Sequence, residues 1–175
     1  MTTTPIDPKT HSAAFSVFGN AAFDNHEQVV FCHDKDTGLK AIIGVHNTVL
    51  GPALGGTRMW SYANEFEALT DVLRLSRGMT YKSAITGLNL GGGKAVIMGD
   101  AKTQKTPELM MKFAAFVHRL GGTYITAEDI GMETADMDLV RTVTPYVTGI
   151  SEEKGGAGNP SPITAYGVFM GMKAA

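Results

Sequence analysis

The sequence predicts an α/β fold, a mixed sheet flanked by helices. Strand-like runs rich in β-branched and aromatic residues alternate with stretches of helical apolar spacing, the pattern of a layered α/β domain. The first two strand-like runs flank a short Asp/Gly turn, which adds antiparallel pairing. The 21 glycines cluster at 51–56, 87–93, 121–122 and 149–158 rather than repeating. Such clusters mark tight turns or close approach of a backbone to another group.

Residues 1–11 are polar, contain Pro5 and Pro8, and read as a frayed terminus. Residues 13–24 predict a short helix, weakened by Gly19. Residues 28–33 and 39–46 predict two strands around Asp34-Lys-Asp-Thr-Gly38. Residues 51–62 read as a glycine-rich loop with a strand-like piece at Arg58-Met-Trp60. Asn64 predicts an N-cap, and Glu65 and Glu67 suit the positive end of a helix dipole. Ala68, Leu69, Val72, Leu73 and Leu75 supply its apolar face to about Tyr81, leaving Lys82 at or just past its end. A glycine loop then leads to a buried strand over residues 95–98.

Thr106-Pro107 opens a helix with the stripe Leu109, Phe113, Phe116, Val117 and Leu120, closed by Gly121. Residues 123–126 predict a strand that runs into Ala127-Glu-Asp-Ile-Gly131. A helix is predicted over 134–141 and a short strand over 146–149. Ser161-Pro162 is a helix entry, and residues 163–175 keep helical spacing without a cap, so the natural chain is expected to continue. The expected organisation is one domain over 1–160, with 161–175 starting a connecting helix.

Composition narrows the function. Hydrophobic residues make up 43% and charged residues 18%, and the net charge is −2. That balance excludes a broad nucleic-acid surface, which needs clustered Lys and Arg. Cys32 is the single cysteine, so an internal disulfide and a cysteine zinc site are excluded. The five histidines show no metal-ligand spacing, and no metal is expected. There is no signal-like start and no apolar run near the ~20 residues that span a bilayer. A cytoplasmic location without membrane contact is expected.

Gly91-Gly-Gly-Lys94 invites comparison with a phosphate-binding loop, and fails it. Leu88 stands where the first glycine should be, and Ala95 follows the lysine. A GxGxxG dinucleotide fingerprint is absent throughout, so no cofactor-binding residue is assigned. Three residues without side chains still let a substrate come close to the backbone. Lys82 and Lys94 bracket this loop and could converge on one pocket, each depressing the other's pKa. A lysine lowered toward neutrality can act as a general base while a charged partner holds a carboxylate. Spacing alone leaves open a pair of solvated surface lysines. Asp129, after a predicted strand, is placed either to line a cleft or to cap a helix, and Glu128 competes with it. Arg58 and Trp60 fit pocket lining and loop packing equally.

Taken together, the segments resemble the leucine/phenylalanine/valine branch of the amino acid dehydrogenases related to glutamate dehydrogenases. The matching stretches are Leu50-Gly-Pro-Ala-Leu-Gly-Gly-Thr-Arg-Met59, Asp71-Val-Leu-Arg-Leu-Ser-Arg-Gly-Met-Thr-Tyr-Lys82, Gly87-Leu-Asn-Leu-Gly-Gly-Gly-Lys94, Tyr124-Ile-Thr-Ala-Glu-Asp129 and Gly158-Asn-Pro-Ser-Pro-Ile-Thr-Ala-Tyr-Gly167. They follow the family's order from about His26 onward.

The resemblance implies the substrate-binding and oligomerisation domain of such an enzyme, with a Rossmann-type domain missing from this chain. It implies reversible NAD-dependent oxidative deamination of an L-amino acid to a 2-oxo acid and ammonia, in a homo-oligomer. By the same resemblance, Lys94 is the catalytic lysine that activates water and Asp129 exchanges protons with the substrate nitrogen. Lys82 binds the substrate carboxylate, and the backbone of Gly55 and Gly56 lies against the substrate. Leu54 and Ala127 line the side-chain pocket, and both being apolar favours a branched aliphatic substrate, leucine first. Since NAD binds mainly in the other domain, the 175 residues alone are expected to be inactive. The competing expectation is a non-catalytic assembly or ligand-binding module of the same descent.

Overall fold

The computed structural model describes residues 16–175. Five strands form one mixed sheet in the order β1-β2-β4-β3-β5: β1 is Gln28–Asp34, β2 Leu39–Asn47, β3 Ala53–Trp60, β4 Gly91–Met98 and β5 Tyr124–Glu128. The β1–β2 and β2–β4 pairs are antiparallel, whereas β3 runs parallel to both β4 and β5. The expected α/β class and the opening hairpin are both present.

Two layers of helix cover the sheet. On one face lies α1, Glu65–Ile85, packed on β4 and β2 through Ala68, Leu69, Val72 and Leu73 against Ile42 and Val96. On the other face, α2 (Pro107–Arg119) and α3 (Thr134–Arg141) enclose the larger core around Ile43, Met59, Ile97, Phe113, Val117, Tyr124 and Met137. Phe113 and Tyr124 are fully buried, and burying a large apolar side chain contributes about 2–3 kcal/mol. Caps fix where these helices start. The Asn64 side chain accepts a bond from the Glu67 N–H at 2.9 Å, and Thr106 accepts from the Leu109 N–H at 3.2 Å with Pro107 in the first turn.

Several expectations needed correction. Within the expected helix over 13–24, residues 13–15 lie outside the described residues, and 16–24 form turns instead. The Asn20 side chain caps the Ala22 N–H and donates to Thr70, which pins the turns onto α1. Residues 53–60 are a full strand rather than a loop, and the glycine run 91–93 lies inside β4. Glycine is disfavoured in strands in general, but here no side chain would fit. A Cβ at Gly92 would fall on the Thr80 backbone nitrogen in α1, and one at Gly55 on the Gly93 carbonyl oxygen. The expected strand at 146–149 is reduced to a single parallel bridge, Thr126 to Val147. Helix α1 continues to Ile85, so Lys82 stands in its last turn. A short 3-10 turn at Glu152–Lys154 was not foreseen, and α4, Ser161–Ala174, is exposed along its whole length.

Candidate active site

Alternation along the strands places the site. Side chains on a strand point to opposite faces in turn, and register partners share a face. Met59 and Thr57 of β3 face the α2 side, so Leu54, Gly56 and Arg58 face the α1 side. Leu54 pairs with Ile125 and Gly56 with Ala127, which carries Ile125, Ala127 and then Asp129 onto that same side. On β4, Val96 packs under α1, and Lys94 two residues earlier follows it. Because α1 packs on β2 and β4, it leaves the β3–β5 half of this face open.

Lys94 is 6% exposed, yet its ammonium finds Asp129: Nζ to Oδ2 is 2.7 Å. Burial lowers the Lys94 pKa from its ordinary 10.5. The charge and hydrogen bond of Asp129 oppose the shift, and the nearby Arg58 cation adds to it. At Asp129 burial pushes the carboxyl up, but Lys94 and then Arg58 outweigh it and hold the group below its usual value. The pair is therefore ionised at rest, and its lysine gives up a proton more readily than a lysine in water.

Arg58 also bonds Oδ2 of Asp129, through Nε at 3.0 Å, and bonds Asp71 of α1 through Nη1 at 2.9 Å. The Tyr62 hydroxyl donates to the same Asp71 oxygen at 2.7 Å. The cation that adds to the lowering of Lys94 is Arg58. Lys82 is exposed and has no ion-pair partner among the described residues. It rides the C-terminal turn of α1, whose Thr80 and Ser76 lie over Gly92. Lys94 and Asp129 are brought together, and Lys82 stands exposed in the last turn of α1.

The rival acid Glu128 is turned away from this pair. It faces the α3 side and accepts a bond from the Thr134 hydroxyl at 3.0 Å. Beneath the site, the Tyr124 hydroxyl donates to the Gly55 carbonyl at 2.6 Å, and Thr57 and Thr126 share a hydrogen bond of 2.6 Å. These buried bonds hold the β3–β5 seam from the core side. Gly56 is pressed by the following loop: a Cβ there would lie 2.5 Å from the Glu128 carbonyl oxygen and 3.0 Å from the Asp129 Cβ. Behind Arg58 a cleft of about 590 Å³ is lined by Trp60, Tyr62, Phe66, Asp71 and Arg74; Lys94 and Asp129 do not line it.

Asp71 and Tyr62 were missed from sequence, and Arg58 was left undecided. The available signal was parity: Arg58 is an even step from Gly56 along β3, and Asp71 lies beside Val72 on the helix that covers β4.

The mixed sheet that carries this lysine–aspartate pair has a specific ancestry. The chain belongs to the family described as Glu/Leu/Phe/Val dehydrogenase, dimerisation domain, which matches residues 26–146. It is 62% identical over 151 residues to the leucine dehydrogenase of Geobacillus stearothermophilus, covering 86% of this chain and 41% of that protein. It is 57% identical over 149 residues to the valine dehydrogenase of Streptomyces virginiae, covering 85% of this chain and 42% of that one. Among solved structures, L-tryptophan dehydrogenase from Nostoc punctiforme superposes with a TM-score of 0.71 at 46% identity, over 86% of this chain and 42% of that one. The chain thus spans about two-fifths of the length of these relatives. No helix among the described residues is long and apolar enough to cross a membrane.

The glycine run does not fit the pyrophosphate of a dinucleotide. The glycine run Gly91–Gly93 lies in a central strand rather than at a helix start. The Gly91 N–H is taken up by the carbonyls of Gly51 and Pro52. A pyrophosphate needs free N–H groups at a helix N-terminus.

Proposed function

We propose that this chain is the amino-acid-binding part of a dehydrogenase that deaminates a branched-chain L-amino acid, leucine first, to its 2-oxo acid and ammonia with NAD. The observation that carries the reading is the Lys94–Asp129 pair, 2.7 Å apart and largely desolvated on the open half of the sheet. NAD would be held by residues other than those described.

Each residue has a task within its chemistry. Lys82, exposed in the last turn of α1, holds the substrate carboxylate. Asp129 takes a proton from the substrate ammonium or returns it to the product nitrogen. Lys94 in its neutral form accepts the proton of the water that attacks the imine carbon, and burial makes that form accessible. The backbone of Gly55 and Gly56 admits the substrate close to the sheet. Leu54 and Ala127, joined by Ile125 on the same face, offer apolar walls and no partner for a side-chain carboxylate. One methylene alters binding by only about 1–3 kcal/mol, so leucine, isoleucine and valine compete. We further propose that residues 1–160 act as the substrate and assembly unit of a homo-oligomer, with 161–175 a separate connecting element. The full exposure of α4 supports that division. A reducing cytoplasm suits the lone buried Cys32.

The test joins this chain to the part of the Geobacillus stearothermophilus protein that the match does not cover. The chimera should reduce NAD with leucine, isoleucine and valine, whereas the 175-residue chain alone should not. Lys94→Ala in the chimera should lower kcat by about 10²–10⁴-fold, the range for loss of a general base. A folded chimera inert toward all three amino acids, or a fully active Lys94→Ala, would overturn the proposal.

A further inference from the structure

The carboxylate of Asp129 is held asymmetrically. Lys94 and Arg58 both bind its Oδ2, at 2.7 and 3.0 Å, which leaves Oδ1 without a bond to any described residue. Arg58 in turn grips two carboxylates with adjacent nitrogens, Asp129 from Nε and Asp71 from Nη1. Asp71 is steadied by the Tyr62 hydroxyl. The side chains alternate in charge from Lys94 through Asp129 and Arg58 to Asp71, and the four sum to zero. They come from β4, the segment after β5, β3 and α1, so the row ties the covering helix to the open half of the sheet.

We infer that Arg58, anchored by Asp71, is a positioning residue: it locks Asp129 by Oδ2, reserves Oδ1 for the substrate nitrogen, and sets the field in which Lys94 gains and loses its proton. The inference rests on the reading of Lys94 and Asp129 as the proton-handling pair. Arg58 does not act as the carboxylate holder, because two of its nitrogens are already engaged by carboxylates. A lysine at position 58 could not replace it, since only the planar guanidinium offers two donors in a fixed fork to two partners. The charged groups acting on Lys94 include Asp129, Arg58 and Asp71, with the Tyr62 hydroxyl bonded to Asp71 behind them, and Lys82 lies exposed in the last turn of α1. Within that set Arg58 opposes the protonated lysine and Asp71 favours it. Neutralising one or the other therefore shifts Lys94 in opposite senses.

The test has a readout independent of turnover. In the 175-residue chain labelled with ¹³C at lysine Cε, the Lys94 resonance is identified by its loss in Lys94→Ala and titrated by NMR. Arg58→Gln should move the Lys94 titration to higher pH, and Asp71→Asn should move it lower. Arg58→Lys, which keeps the charge, should leave it near the parent. In the chimera, Arg58→Gln should lower kcat about 10–100-fold, the cost of a misplaced catalytic group, with the leucine KM within about threefold. The pH limb set by Lys94 should move the same way as the NMR titration. Arg58→Lys should recover the limb but not kcat.

Should Arg58→Gln fail to fold, Asp71→Asn and Arg58→Lys carry the test. A Lys94 titration that stays put in Asp71→Asn, or moves the same way in both neutralised variants, overturns the inference. The expected titration shifts with an inert parent chimera would sink the dehydrogenase reading and leave the charge relay standing. An active chimera with an unmoved Lys94 titration would do the reverse.

Discussion

Replacing Asp129 by asparagine should destabilise the chain by about 2–3 kcal/mol at pH 7. The variant keeps the shape of the side chain and removes one charge from a neutral set of four, leaving Lys94 and Arg58 opposed only by Asp71. At an effective dielectric constant near 20, a unit-charge attraction at 2.7 Å is about 6 kcal/mol before desolvation. Breaking a fully buried pair costs about 3–5 kcal/mol, because a charge is left unpaired. Asp129 is about a quarter exposed, so water recovers part of that and the estimate falls to about 2–3 kcal/mol. Lys94→Met should cost less, under about 1 kcal/mol, because it removes the desolvated charge and leaves Asp129 with Arg58.

The assay is urea unfolding of the 175-residue chain. With a slope of about 2 kcal/mol per molar, Asp129→Asn should lower the midpoint by about 1 M. The deficit should narrow as pH rises toward 10. In the variant Lys94 loses the partner that opposed its lowering, so its folded pKa falls further below the unfolded 10.5. The unfolded chain then binds more protons across that window, and stability climbs with pH more steeply than in the parent. A midpoint within 0.2 M of the parent (about 0.4 kcal/mol), or a Lys94→Met variant as damaged as Asp129→Asn, would refute this reasoning.

Four further outcomes are expected. Gly56→Ala must displace the Glu128 carbonyl and Asp129, and should cost about 1–3 kcal/mol by urea unfolding. Gly78→Ala, which meets open space in α1, should gain about 0.5–1 kcal/mol in the same assay. Lys82→Ala should leave the melting temperature of the chain unchanged while raising the leucine KM of the chimera about 10–100-fold, the loss of one charged hydrogen bond to a carboxylate. The fourth concerns acid. His26 and His46 meet edge to face at 4.8 Å, and burial lowers both below the ordinary 6.5. The Asp24 N–H donates to Nδ1 of His26, which is therefore unprotonated there. Since the unfolded histidines take up protons first, stability should be level above about pH 7 and fall as pH drops below about 6.5. Melting temperatures at pH 7.5 and 5.5 should show the fall, and His46→Gln should reduce it.

Sequence patterns reported the helices more faithfully than the central strands. The caps at Asn64 and Thr106 and the span Thr134–Arg141 are local signals, and they appear where expected. The first halves of β3 and β4 were hidden by Gly55, Gly56 and Gly91–Gly93, whose use is tertiary: each removes a side chain that another element would strike. At the site, Lys94 and Asp129 were reached through motif resemblance, since their spacing of 35 residues carries no information of its own. Arg58 and Asp71 could not be chosen, because an ion pair between a strand and a helix depends on which face each residue takes.

That dependence on facing has an evolutionary consequence. Along β3, Met59 enters the core that holds Phe113, and Arg58 beside it points the opposite way. Dropping or adding a single residue within Ala53–Trp60 would swap them, plunging a guanidinium into hydrocarbon and stranding a thioether among carboxylates. A single-residue exchange at positions 54, 125 or 127 leaves this alternation intact. A change in length leaves it intact only at the hairpin tip around Gly38 or in the connections outside the strands.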